Sequence, residues 1–272
     1  MTAPLFAWLE PAFMQRAALA ILFLAPACAA MGTHVIQARL AFFSDAIAHS
    51  AFTGVAIGLV LGWSPLATLI GFAILVAGAV ILYRATGRLP SDTVIGVFLS
   101  ASIALGLALV SLTGRIGNFT PYLFGDVLAV TRGEVIVSGL LCVAVFVFLG
   151  LFGNRLALAG LSHTLARGEG VRVRSLELAF GLLLAVLVAV TVRFIGALLV
   201  TAMLLVPAAA ARQAATSVWA NFWLAVGIAA FSGLAGLYAS YQWNVATGAA
   251  IVLAGIVCFA AGALVGRWRK GK

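Results

Sequence analysis

Nine apolar runs, each close to the roughly 20 residues a helix needs to cross a bilayer, fill almost the whole chain from residue 12 to residue 265. Arg, Pro and small polar clusters separate them. The runs predict spans at 12–31, 41–62, 66–83, 93–113, 134–152, 175–192, 195–211, 218–239 and 245–265. The expected fold is therefore all-α, a polytopic membrane helix bundle of about nine transmembrane helices. The runs 175–192 and 195–211 are parted by little more than Arg193. If they form one broken element that enters and leaves on the same side, the count falls to eight and the upstream topology inverts.

Composition excludes the main alternative. With 16 Lys and Arg and 7 Asp and Glu, 8% of residues are charged and 64% are hydrophobic, and the mean hydropathy is +1.20. An ordinary soluble domain carries about a quarter charged residues. The net charge of +9 would suggest nucleic acid in a soluble chain, but the one basic block is the last six residues. The excess reads instead as topology. With nine spans, Arg39, Arg84, Arg88, Arg155, Arg167, Arg172, Arg174, Arg212, Arg267, Arg269, Lys270 and Lys272 fall in one set of loops, against Arg16, Arg115, Arg132 and Arg193 in the other. Basic residues concentrate on the cytoplasmic side, so the split of 12 to 4 predicts a cytoplasmic C-terminus and an external N-terminus. Arg16 and the segment Ala25-Pro-Ala-Cys-Ala-Ala30 imitate a leader, but the run is long enough to be read as the first span. No linker or low-complexity segment divides the chain, so residues 1–272 are expected to form a single transmembrane domain. Cys28, Cys142 and Cys258 are isolated in apolar runs and suit small core positions better than a disulfide framework or a paired-cysteine metal motif.

Two ionisable residues stand inside the second run. Asp45 and His49 interrupt the apolar stretch 40–61, and an ionisable side chain in a membrane helix costs about 2.5–3.5 kcal/mol even on lenient insertion scales. Four residues apart, they share one helix face. Both can then reach a single metal ion at about 2.0–2.2 Å; the alternative is an ion pair that only fixes packing. Carboxylate plus imidazole suits zinc, iron or manganese better than magnesium or calcium. On the same helix Ser50, Gly54, Gly58 and Gly62 recur every four residues, a small-residue stripe for close helix packing. Thr53 continues the polar line of Asp45 and His49 and is a further, weaker candidate for the path.

Other polar residues have local explanations. Ser91 or Asp92 is expected to cap the fourth span, and Glu134 and Glu177 open helices in the same manner. Asp126 is either a loop cap or part of an external docking rim within 114–133. Pro207 should kink its helix and is a candidate gate. In the long loop 153–175, Leu156, Leu161 and Leu165 fall on roughly one face, the pattern of a short interfacial helix, which is either passive or a docking element. Lys270 and Lys272 are the only lysines, so a phosphate-binding Gly-x-x-x-x-Gly-Lys loop is impossible. There is no His-Glu-x-x-His either. The chain is expected not to be an enzyme, and energy for transport must come from a partner or an ion gradient.

Four segments, in order, carry a resemblance. Phe43-Ser-Asp-Ala-Ile-Ala-His-Ser-Ala-Phe-Thr-Gly-Val-Ala-Ile-Gly58 resembles the signature of the zinc/manganese/iron class of ABC-transporter permeases. Ser91-Asp-Thr-Val-Ile-Gly-Val-Phe98, Tyr122-Leu-Phe-Gly-Asp-Val-Leu-Ala129 and Ile195-Gly-Ala-Leu-Leu-Val-Thr-Ala-Met-Leu-Leu-Val-Pro-Ala208 are similar to further family segments. The resemblance implies a homodimeric inner-membrane importer channel, fed by an external metal-binding protein and driven by cytoplasmic ATPase subunits. It implies that Asp45 and His49 lie on the metal path, with zinc, manganese or iron as cargo and no permanently bound cofactor. It also implies that Leu165, Ala166, Arg167 and Gly168 form the element that docks on the ATPase. Thr53 departs from the family, where many members have proline. The rival reading is a gradient-driven secondary metal transporter or channel; its inverted repeats should be visible, and no second Asp-x-x-x-His segment is found. A membrane enzyme using Asp45 and His49 for proton transfer lacks any accompanying nucleophile or cofactor motif.

Overall fold

A computed structural model describes residues 7–113 and 125–270, and these are helical with short connections and no strand. The helices are α1 (Ala12–Gln37), α2 (Ala41–Leu61), α3 (Pro65–Arg84), α4 (Ser91–Thr113), α5 (Arg132–Leu161), α6 (His163–Gly168), α7 (Val173–Ile195), α8 (Ala197–Ala214), α9 (Val218–Trp243) and α10 (Thr247–Lys270). Short 3₁₀ turns cover Ala7–Leu9 and Val127–Ala129. Among the described residues, eight of these helices are long and apolar enough to cross a membrane; α6 and the shorter α8 are the others. Arg115, Asn118, Pro121 and Tyr122 of the expected external loop lie outside the described residues.

Local chemistry sets the helix ends. At the entry to α5, the Thr131 hydroxyl accepts from the Glu134 amide, while the Glu134 carboxylate accepts from the Thr131 amide at 2.9 Å. That reciprocal pair is a capping box. Asp126 caps the turn Val127–Ala129, accepting from the Ala129 amide at 3.2 Å. Ser91 does not cap α4 as expected: it is already within the helix, and its hydroxyl accepts from the Arg84 guanidinium at 3.0 Å.

The chain forms two compact units: Met1–Ile36, Asp126–Val147 and Ala202–Lys272 in one, Gln37–Gly125 and Phe148–Thr201 in the other. In the second unit α2 packs against α3, α4 and α7, around the fully buried Phe43, Ile47, Leu69, Ile95, Leu184 and Leu187. In the first unit α9 packs on α10, where a Cβ on Gly236 would run into the Ile251 backbone. With lipid as apolar as the side chains, such seams gain from close van der Waals contact rather than from escape from water. Cys28 is buried on α1, and Cys142 and Cys258 are half-buried.

The α2–α3 connection shows how the sequence writes a hairpin. Gly62 ends α2 with φ of 70°, in the left-handed region, and the Trp63 amide donates to the Gly58 carbonyl at 2.9 Å. This is the closing bond of a Schellman turn. Pro65 then occupies the first turn of α3, where its missing N–H costs nothing.

Candidate metal path

Asp45 and His49 lie one turn apart on α2, as their spacing requires. His49 Nε2 is 3.7 Å from Asp45 Oδ1, and the two side chains keep 27% and 34% of their surface accessible. At 3.7 Å the contact is longer than a hydrogen bond. A shared ion could fit between them: with metal–ligand bonds of about 2.1 Å, this separation would subtend about 124° at the ion, wider than the tetrahedral angle. The partial exposure leaves room for water on the remaining positions. Among the described residues, no group of three or more His, Cys, Asp or Glu is placed to hold a metal ion. Two protein donors alone could hold an ion only weakly.

A third group, which the spacing on α2 could not reveal, completes the local geometry. The Thr201 hydroxyl on α8 donates to Asp45 Oδ1 at 3.3 Å, from 156 residues away in sequence. Thr53 is placed differently. It is fully buried, and its hydroxyl donates to the Ser102 carbonyl of α4. Its one proton ties two helices together.

The small-residue stripe is a seam against α3. A Cβ on Gly54 would sit 2.6 Å from Leu69 Cα, and one on Gly58 would meet the Thr68 side chain and come within 3.0 Å of Pro65 Cα. Ser50 is buried on the same helix, with its hydroxyl returned to the Ile47 carbonyl. Gly62 shares their spacing but not their role: nothing lies within 4 Å of its Cβ position, and it serves as the helix cap. Pro207 is buried in α8, which continues through it to Ala214. Before α8, Gly196 breaks the chain at φ of 92°. Gly125 rests on that break, and a Cβ there would run into the Phe194 carbonyl and the Ile195 backbone.

The loop 153–175 differs from the single amphipathic helix expected of it. Leu156 and Leu161 belong to α5, whose helix runs to Leu161. Ser162 then starts a new helix by accepting from the Leu165 amide, and α6 has only six residues. Ala166 is its inward residue, packed with Ala159 and Val173, while Leu165 is exposed. Arg167 and Gly168 are exposed as well. The apolar face is thus one alanine wide, and Leu165 points away from it.

Comparison with known proteins decides the class. A sequence model of the ABC 3 transport family matches residues 10–266. The chain belongs to that family. This ABC 3 chain is 28% identical to the high-affinity zinc uptake system membrane protein ZnuB of Haemophilus influenzae over 232 residues, covering 85% of the chain and 89% of the relative. It is 30% identical to the manganese transport system membrane protein MntC of Listeria innocua over 247 residues, covering 91% and 88%. Among solved structures, PsaBC from Streptococcus pneumoniae in complex with Fab superposes with a TM-score of 0.83 at 27% identity, over 96% of each chain. The all-helical bundle anticipated from the apolar runs is thus the fold of an ABC-transporter permease.

Proposed function

We propose that this chain is the permease subunit of an ABC importer that moves a divalent transition metal ion across a bacterial inner membrane, with Asp45 and His49 as the donors that receive the ion. The relatives are named for zinc uptake and manganese transport, and the same donor pair would also accept iron. The observation that carries the site is the 3.7 Å separation of a carboxylate and an imidazole on an accessible helix face. The imidazole must be neutral to ligate, so loading expels any proton it holds.

The rest of the machine is inferred from the family to which the chain belongs. ATP hydrolysis belongs to separate cytoplasmic subunits, in keeping with the absence of a phosphate-binding loop in a chain whose two lysines are Lys270 and Lys272, and an external metal-binding protein delivers the ion. Two copies of the permease would enclose the path, doubling a donor set that is small in one chain. The charge asymmetry of the loops supports a cytoplasmic C-terminus. Leu165, Ala166, Arg167 and Gly168 on α6 form the contact to the ATPase, with Ala166 as the internal anchor and the exposed Leu165 and Arg167 as the docking face. Pro207 is the place in α8 where the helix can bend.

Exchanging the two donors tests the site. The double variant Asp45→His with His49→Asp preserves the volume and the opposite charges on the α2 face, so a packing pair would survive it. A metal path has each donor at its own depth. We expect a stable protein that still assembles with its ATPase but imports zinc or manganese at least about tenfold more slowly, on the scale of losses seen when metal-site partners are altered. Near-normal uptake by the exchanged variant would remove Asp45 and His49 as position-specific ligands.

A further inference from the structure

Hydroxyl groups in apolar helices usually return to a carbonyl of their own helix. Ser44, Ser50, Ser138, Thr191 and Ser232 all do so, bonding to Ala41, Ile47, Glu134, Leu187 and Ala229. Thr201 stands in the second turn of α8, where an intrahelical carbonyl would be within reach. Its hydroxyl instead crosses to Asp45 and donates to Oδ1 at 3.3 Å. The oxygen it selects is the one 3.7 Å from His49 Nε2.

We infer that Thr201 is a positioning residue of the metal path. A carboxylate alone on a helix can turn about its last torsion, which has a broad and roughly two-fold profile. A hydroxyl donor from a second helix, at a long 3.3 Å, biases that torsion toward keeping one oxygen beside the imidazole. The carboxylate oxygen has two acceptor sites, so the Thr201 proton takes one and leaves the other for the ion. A neutral donor also draws charge from the ligating oxygen without repelling the metal or competing with it for the carboxylate as a cation would. α8 starts at the Gly196 break, against which Gly125 packs. The inference rests on the reading of Asp45 and His49 as the ion's donors.

Two substitutions separate positioning from packing. Thr201→Val keeps the branched shape and volume and deletes the hydroxyl, whereas Thr201→Ser keeps the hydroxyl and deletes a methyl group. Each variant, with Asp45→Asn alongside, is reconstituted with its ATPase subunits, and uptake of radioactive zinc or manganese is followed against ion concentration. Positioning predicts that Thr201→Val raises the half-saturating metal concentration about tenfold, the scale of a lost hydrogen bond to a charged group, while Thr201→Ser stays near wild type. The reverse order, valine normal and serine impaired, would give Thr201 a packing role and overturn the inference. So would a valine variant that fails to assemble with the ATPase. If Asp45→Asn blocks uptake while Thr201→Val matches wild type, only the role of Thr201 falls. If Asp45→Asn itself imports normally, the donor reading falls and takes this inference with it.

Discussion

α2 and α5 obey opposite rules. Of the eight long apolar helices, α5 is the most apolar, yet only 22% of its most apolar window lies inside the protein; α2 is the least apolar, and 61% of its window is inside. In water this order would be a folding error. In a bilayer it follows from the solvent: lipid accepts Leu, Val and Phe without penalty, so the outward helix is free to be uniformly apolar. Ile136, Leu140, Val143, Val147 and Leu151 of α5 are exposed at 54–69%. Polar groups and bare backbone must instead be inside, where another helix can meet them. α2 accordingly collects Asp45, His49, Ser50 and Thr53 with the glycines that let α3 approach. In this pair of helices the more apolar one faces outward and the more polar one is enclosed, whereas α7 is both strongly apolar and largely buried.

Three substitutions probe this contrast. The largest effect should come from Val147→Arg in the middle of α5, which places a charge on the outward face. The insertion cost is about 2.5–3.5 kcal/mol, and we expect a severe loss of membrane-integrated protein, read from carbonate-resistant material. Normal integration would mean that Val147 faces a polar path rather than lipid. Next is Gly54→Ala on α2. The added carbon would lie 2.6 Å from Leu69 Cα and 2.8 Å from the Thr68 carbonyl, so backbone must move, at the about 1–3 kcal/mol typical of overpacking. A lowered thermal midpoint in detergent is the expected outcome, and an unchanged one would show that the α2–α3 seam is looser than its geometry indicates. The smallest effect belongs to Gly150→Ala on α5, whose Cβ position is open. Alanine propagates a helix better than glycine, so the same assay should show a gain of up to about 1 kcal/mol. Destabilisation there would reveal a neighbour packed against the outer face of α5.

Helix positions were legible in the sequence because one variable, the length of an apolar run, decides them. The run at 41–62 became α2 and the run at 218–239 became α9, displaced by only a few residues at the ends. Where a local competitor acts, the reading failed. α5 passed its expected end at residue 152 and continued to Leu161, since Arg155 and the surrounding leucines favour helix even where hydropathy falls. Ser91 was diverted from capping by Arg84, seven residues earlier. The closeness of Asp45 and His49 was visible because four-residue spacing is a property of one helix. Thr201 was not, because its pairing with Asp45 spans 156 residues and no periodicity encodes it. Its traces were a hydroxyl inside an apolar run, one turn and a half past a glycine, and its place in the segment 195–208 that resembles the family.

The turn at Gly62 and Pro65 bears on how the protein reaches the membrane at all. A helix carrying an aspartate and a histidine is a poor passenger for a translocon that tests segments as they emerge. α3, which follows after three residues, is far more apolar. The Schellman closure and the proline start allow α2 and α3 to form a hairpin as soon as both have been synthesised, with Gly54 and Gly58 already against Leu69 and Pro65. The pair can then leave the insertion machinery together, with α3 escorting α2. Asp45 and His49 would thereby be carried into the membrane by their neighbour in sequence.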